Sequence, residues 1–330
     1  MWLTVLRRLL LSIQPIRKEI AMRTDLRGSA LFIGRGYLDI TMLVDKVPVG
    51  DEKVMAKDSA LSFGGNAVVA AFACAHLGFV PDLLCTCADD WSGKIFASMV
   101  EKYGIHWHKR HVQRFARSVV LPNDRMRAMA RFPATDDYLH GFPRNLSVDG
   151  CRFLHVDGHQ MEAAVYYAAE FRKRGIRTSL DAGGYREGMD DLLQYIDVCI
   201  AGERYCQDIG KDIDETLAYF RAKGCKVGGV TMGERGMRWY AGCEQPHIMP
   251  ALAVPREKVI DTNGAGDIFR GAYIYSYLMQ QERSWTQHFE FARAASAYAI
   301  QRLGNEASLP TVADVEAVMA EYRPAVLQAA

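Results

Sequence analysis

The sequence contains no C-x-x-C pair, and so none with histidines following at zinc-finger spacing; neither a structural zinc site nor a dithiol redox motif is written into it. Its 8 cysteines (Cys74, Cys85, Cys87, Cys151, Cys199, Cys206, Cys225 and Cys243) are scattered through apolar runs and read as reduced core residues. The Cys85-Thr86-Cys87 pair could bind metal or act in redox chemistry, but alternation along a strand accounts for it more simply. This usage points to the cytoplasm. Charge of one sign is also missing: 40 Lys and Arg stand against 39 Asp and Glu, whereas recognition of a phosphate backbone or an anionic membrane needs a basic excess. No nucleic-acid or membrane partner is expected. Nor is there an unbroken apolar run of roughly 20 residues. Met1 to Ile20 is apolar but interrupted by Arg7-Arg8 and followed closely by Arg17, Lys18 and Glu19, which fits neither a secretory signal nor a membrane span. Residues 1–28 read as an N-terminal extension.

Two nucleotide fingerprints are absent as well. No G-x-x-x-x-G-K-S/T occurs, which removes P-loop enzymes, and Gly34-Arg35-Gly36 lacks the third glycine and the helix of a dinucleotide-binding turn. Without internal repeats or low-complexity linkers, the expected organisation is one core, residues 29–325, with an appendage.

What is present is a rhythm. Short apolar runs alternate with helical patterns from Ala30 onward: strands over Ala30 to Ile33, Leu83 to Thr86, Phe153 to Val156, Arg177 to Leu180, Val198 to Ile200 and Val227 to Thr231. Helices are expected over Asn66 to Leu77, Ser92 to Tyr103 with Ser92 as cap, Met161 to Lys173, Ile213 to Lys223, Ala265 to Met279 and Ser284 to Leu303. This is the pattern of an α/β fold with a doubly wound, mostly parallel sheet flanked by helices. Two stretches, about 39–62 and 106–133, alternate polar and apolar residues like exposed antiparallel strands, and are expected to pair as a small β-sheet lid over the crevice.

The chemistry concentrates in Val259-Ile260-Asp261-Thr262-Asn263-Gly264-Ala265-Gly266-Asp267. A strand-like apolar pair runs through Gly-Ala-Gly into a helix, so unhindered backbone N–H groups gather where the helix dipole favours an anion. Phosphoryl transfer requires such stabilisation of charge on the moving group. Asp267 lies just inside the same turn, where its carboxylate can take a proton from an attacking hydroxyl; read alone, it could equally complement the helix dipole.

That segment resembles the C-terminal signature D-T-x-G-A-G-D of the ribokinase/PfkB carbohydrate kinases, and the resemblance runs from about Ala30 to Pro310. It implies an ATP-dependent transfer to an alcohol, with Asp267 as base and the amides of Gly264, Ala265 and Gly266 as anion hole. The N-terminal signature has its counterpart in Phe63-Gly64-Gly65-Asn66-Ala67, where Gly64 and Gly65 allow close approach of substrate and Asn66 can donate and accept hydrogen bonds. A second asparagine common in relatives is Val69 here. Asp39 matches an early aspartate that binds substrate hydroxyls, though a charged residue there could also be surface. The T-x-G-x-x-G of relatives is matched by Thr231, Gly233 and Gly236, which the resemblance sets beside ATP, and Glu203 by a glutamate linked to Mg2+ through water. Asp261, Asn263 and Ser308 fall where relatives often hold a monovalent cation, K+ being the natural candidate. Homodimerisation through the lid is a further implication. The acceptor is read as a sugar or sugar-like hydroxyl, with a nucleoside as the alternative and a non-catalytic sugar- or nucleotide-binding regulator as the reading from another class.

One local charge excess stands out. Between His106 and Arg131, Lys109, Arg110, Arg114, Arg117, Arg125, Arg127 and Arg131 face a single acid, Asp124. A solvated strand edge explains most such runs; the sharper expectation is that one or two of these arginines reach a carboxylate, phosphate or sulfonate on the substrate.

Overall fold

A computed structural model describes residues 30–122, 127–132, 138–146 and 150–323. The N-terminal extension, residues 1–28, lies outside them.

Along the chain the elements are β1 (Ala30–Ile33), β2 (Tyr37–Leu43), β3 (Asp58–Gly64), α1 (Asn66–Leu77), β4 (Asp82–Cys87), α2 (Trp91–Lys102), β5 (His106–His111), β6 (Ala116–Pro122) and β7 (Arg127–Phe132). They continue with β8 (Phe153–Val156), α3 (Met161–Lys173), β9 (Arg177–Ala182), α4 (Met189–Leu193), β10 (Val198–Gly202), α5 (Glu203–Asp208), α6 (Ile213–Ala222) and β11 (Val227–Thr231). The last are β12 (Met237–Ala241), β13 (His247–Met249), α7 (Ala265–Met279), α8 (Trp285–Ala299) and α9 (Val312–Glu321).

Nine strands form one sheet in the order β5-β4-β1-β8-β9-β10-β11-β12-β13. From β5 to β11 every pairing is parallel, and β12 and β13 close one edge antiparallel. The run Ala30-Leu31-Phe32-Ile33 shows why an uninterrupted apolar tetrapeptide makes a central strand here. Ala30 and Phe32 pack into one core with α1, α7 and α8, while Leu31 and Ile33 pack into a second with α3 to α6. The small residues of α1 do what their size suggests. The Cys74 thiol donates to the Gly271 carbonyl of α7 at 3.1 Å, and a methyl on Gly271 would press against the Ala70 carbonyl.

The chain runs from β1 outward to β4 and β5, then returns to β8 and builds the other half. The order therefore reverses beside β1, and in such sheets the ligand crevice lies outside the carboxyl ends of the strands at that point. Packing is tight there: any side chain on Gly34, just after β1, would collide with the Asp157 carboxylate just after β8.

A second sheet, β3-β2-β6-β7, accounts for the lid strands, with one correction. β5, inside the stretch 106–133, belongs to the large sheet, where Asp82 to Cys87 pair in register with His106 to His111. An edge strand covered on one side alternates polar and apolar residues just as a lid strand does. Helix ends differ too. Asp90, not Ser92, caps α2, accepting from Gly93 N at 2.8 Å. α8 stops at Ala299, because the following residues turn back toward Asp261. The Val259-Ile260 pair is not a strand; Ile260 N and Asp261 N both donate to the Ile300 carbonyl. Seven of the cysteines are buried and Cys243 is exposed.

Candidate active site

At the start of α7, Gly264 occupies the N-cap with φ +72°, a left-handed conformation that suits glycine. A side chain there would also collide with the Asn305 carboxamide. No side chain caps this helix, so the N–H groups of Ala265, Gly266 and Asp267 open it without intrahelical acceptors. Asp267 is half-buried and lines a cleft with Asn66, Asn263 and Asn305.

Behind Asp267 lies a buried ion pair. Arg270, one turn on, places Nη2 2.8 Å from Oδ1 of Asp181 at the end of β9; the two side chains are 4% and 0% exposed. Arg270 also donates to the carbonyls of Gly266 (2.8 Å) and Ile200 (3.0 Å), so its guanidinium ties the first turn of α7 to β10. Burial, then the nearby Asp181 carboxylate, push the Asp267 pKa up to about 8, against the opposing effect of Arg270. Asp157, also buried, rises to about 6, chiefly through burial. Asp267 is thus a stronger base than an ordinary carboxylate.

The small sheet forms the opposite wall. Asp39 on β2 pairs in register with Ser62 of β3 and Ser118 of β6. It accepts from the Ser118 hydroxyl, from Asn305 Nδ2 at 3.1 Å and from Asn263 Nδ2 at 3.4 Å. Burial raises its pKa against those hydrogen bonds and the charge of Arg131. Gly64 makes room for this carboxylate, which any Cβ would strike, and Gly65, at φ +101°, lies against the Arg35 carbonyl. Asn66 donates Nδ2 to Asp181 Oδ2 at 3.1 Å, so the ion pair behind Asp267 also fixes Asn66. Tyr37, Arg131 and His159 complete the lining.

The residues expected near the nucleotide lie at the carboxyl ends of β10 and β11. The Thr231 hydroxyl donates to the Ala201 carbonyl at 3.1 Å. Gly233 and Gly236 have φ of +58° and +88°, and Gly236 is packed against the Met249 carbonyl, reason enough for a glycine. Glu203, the first residue of α5, is ion-paired with Arg235 of the β11–β12 turn. Asp261 accepts from Asn263 N (2.9 Å) and Gly304 N (3.2 Å), joining two loops. Ser308 donates its hydroxyl to the carbonyls of Gly304 and Ala299. Among the described residues no three His, Cys, Asp or Glu side chains converge on a possible metal position.

Of the basic run, Arg131 lines the cleft. Arg110 is buried on β5, stacked 3.4 Å from the Tyr138 ring and donating to Gln160; Arg114 and Arg117 lie over the Phe132 ring. Arg125 lies outside the described residues. Sequence reasoning did not find Asp157, Asp181, His159, Arg186, Arg270, Ser118 or Asn305. A signal existed for some: Asp157 directly follows the largely apolar strand Phe153–Val156, and Arg270 interrupts the apolar face Ile268-Phe269-Gly271-Ala272.

Residues 29–312 match the profile of the pfkB family carbohydrate kinases. A ribokinase of Arabidopsis thaliana is 23% identical over 299 residues, 84% of this chain and 77% of that protein. A deoxyribokinase of Salmonella typhi is 24% identical over 297 residues, 85% of this chain and 95% of its own length. In structure, the Arabidopsis thaliana ribokinase solved with ribose and ATP superposes with a TM-score of 0.71 at 21% identity, covering 89% of this chain and 99% of that one. This last likeness is one of fold.

Proposed function

The chain belongs to the pfkB family of carbohydrate kinases and is an ATP-dependent sugar kinase, and on that premise we propose how its own residues carry the transfer. Asp267 accepts the proton of an acceptor hydroxyl while the amides of Gly264, Ala265 and Gly266 hold the γ-phosphoryl oxygens. The hydroxyl oxygen then attacks phosphorus in line, the bond to the β-phosphate oxygen breaks, and ADP departs. The observation that carries this reading is the juxtaposition of a carboxylate of raised pKa with an uncapped helix N-terminus on one cleft. Asp39, Asn66, Asn263 and Asn305 offer donors and acceptors to acceptor hydroxyls from the other walls.

A sugar is favoured over a nucleoside by the lining itself. Tyr37 supplies the cleft's phenol ring, and Arg131 already lies over it, 5.7 Å from the centroid, so that ring is not a free platform for a base. ATP lies in this proposal along the ends of β10 and β11, near Thr231, Gly233 and Gly236. Mg2+ enters with its phosphates and supplies charge neutralisation, with Glu203 as the carboxylate that would hold it through water once Arg235 turns away. A K+ ion would rest on backbone carbonyls near Asp261, Asn263 and Ser308, since those side chains have hydrogen-bond partners of their own. Pairing of two copies through the lid is supported by its outer face, where Leu61, Ile40, Val119 and Ala130 stand in one row across all four strands; Leu61 and Val119 are 45% and 37% exposed. An ADP-release assay over aldoses, ketoses, sugar acids and nucleosides tests the reading. ATP consumption that no added acceptor accelerates would count against it.

A further inference from the structure

Arg131, His159 and Arg186 meet at the cleft without a part in the transfer just described. His159 follows β8, and its Nε2 lies 2.9 Å from Nη2 of Arg186 in the loop after β9. A guanidinium only donates, so Nε2 must carry the lone pair and the ring proton must sit on Nδ1. The histidine is therefore neutral and presents an N–H. Its surroundings enforce the same state: burial first, then the charges of Arg186, Arg35 and Arg131, hold its pKa well below the usual histidine range. Three elements supply these cations, the loops after β1 and β9 and the outermost lid strand, β7. Arg131 turns its Nε to the Met129 sulfur at 2.8 Å, and among the described residues no carboxylate lies within ion-pair distance of its guanidinium.

The cleft is thus divided by charge. The charged groups acting on Asp267 are Asp181, Arg270 and Asp157, whereas those acting on His159 are all cations. The nearest counter-charge at the basic end, Asp157, already accepts from His159 N at 2.9 Å and Ala67 N at 3.2 Å. Asp39, which faces Arg131, is held by Ser118, Asn263 and Asn305. A ligand with only hydroxyl groups would leave two strong donors, the Nδ1–H of His159 and the guanidinium of Arg131, without an anionic acceptor.

We propose that the acceptor is an anionic sugar, carrying a carboxylate, sulfonate or phosphate remote from the attacked hydroxyl, and that Arg131 and His159 receive that group while Arg186 fixes the tautomer of His159. The proposal rests on the sugar-kinase reading and names its substrate class. The three anions share what the site recognises, oxygen acceptors bearing negative charge, for which a guanidinium fork and a fixed N–H are well suited. Charge-assisted bonds of this kind discriminate by roughly 10- to 100-fold each, so an anionic acceptor should exceed its neutral counterpart about 100-fold or more in kcat/KM.

The test compares matched acceptors: glucose with gluconate, and fructose with fructose 6-phosphate and the corresponding 6-sulfonate. Turnover is followed by ADP release, and binding by calorimetry on Asp267→Asn, which reads acceptor affinity without chemistry. At least one anionic member should bind and turn over about 100-fold better than its partner. Arg131→Ala and His159→Ala should erase that preference, with partial recovery in Arg131→Lys and His159→Gln and an unchanged KM for ATP. Equal or better use of the neutral sugars would overturn the inference and leave the kinase reading standing. So would failure of every anionic member to bind, or a raised KM for ATP in Arg131→Ala, which would assign these cations to the nucleotide. If anions bind but no acceptor gives ADP, the kinase reading fails instead.

Discussion

The ion pair between Asp181 and Arg270 should set the basicity of Asp267, and its two halves should act in opposite directions. Two carboxylates about 4 Å apart repel by roughly 4 kcal/mol at an effective dielectric of about 20. Arg270, 2.8 Å from Asp181, offsets a good part of this. That attraction persists in Asp181→Asn, which removes the repulsion alone, so the Asp267 pKa should fall by up to about 3, one unit corresponding to about 1.4 kcal/mol. The base must be ionised to act, so activity rises with pH through that pKa; Asp181→Asn should move the acid limb of kcat/KM to lower pH. Arg270→Met removes the cation and leaves the Asp181 charge in place, which moves the limb to higher pH. Stability separates the two again. Removing one partner of a buried pair costs roughly 3–5 kcal/mol, and at about 2–4 °C per kcal/mol Arg270→Met should lower Tm by roughly 6–20 °C. Asp181→Asn should cost less, because Arg270 keeps its bonds to the Gly266 and Ile200 carbonyls. The assay is kcat/KM against pH at saturating MgATP, with melting curves for each variant. Limbs that stay put, or that move in the same direction in both variants, would refute the coupling.

Other consequences are equally open to measurement. Gly264→Ala forces a side chain into a left-handed backbone and against Asn305; it should lower kcat by about 100-fold or more while the Tm falls by only a few degrees, and an unchanged kcat would remove the helix mouth from the mechanism. Val119→Glu places a charge in the apolar row on the lid's outer face; sedimentation should show a dimer in the parent protein and a monomer in the variant, and a parent that is monomeric at tens of micromolar excludes lid pairing.

The parts of this molecule legible in its sequence are those whose signal is local. Strands buried on both faces, such as Ala30 to Ile33 and Val227 to Thr231, are continuous apolar runs, and α7 announces itself by Gly-Ala-Gly before an apolar periodicity. β5 was not legible as a main-sheet strand, since His106 to His111 alternates as a lid strand would and only its register with Asp82 to Cys87 decides the matter. The same limit applies to the site. Gly264 to Asp267 form one contiguous unit, so spacing reveals them. Asp157, Asp181, Arg186 and Asn305 come from separate loops and strand ends, and are united only because the parallel strands deliver their carboxyl ends to one crevice. Arg270 was the most readable of those missed: a charged residue on a face that must be buried needs a partner. The basic run misled in the other direction, because counting cannot show that Arg110 is buried under Tyr138 while Arg131 faces the cleft.

The measurement that bears most directly on the mechanism is turnover and ATP affinity of Asp267→Asn, determined side by side with the acceptor that the screen identifies. A positioned general base contributes about 10²–10⁴-fold, so kcat should fall by at least that much while the dissociation constant for MgATP stays within about threefold of the parent. Near-parental turnover in this variant would contradict the account.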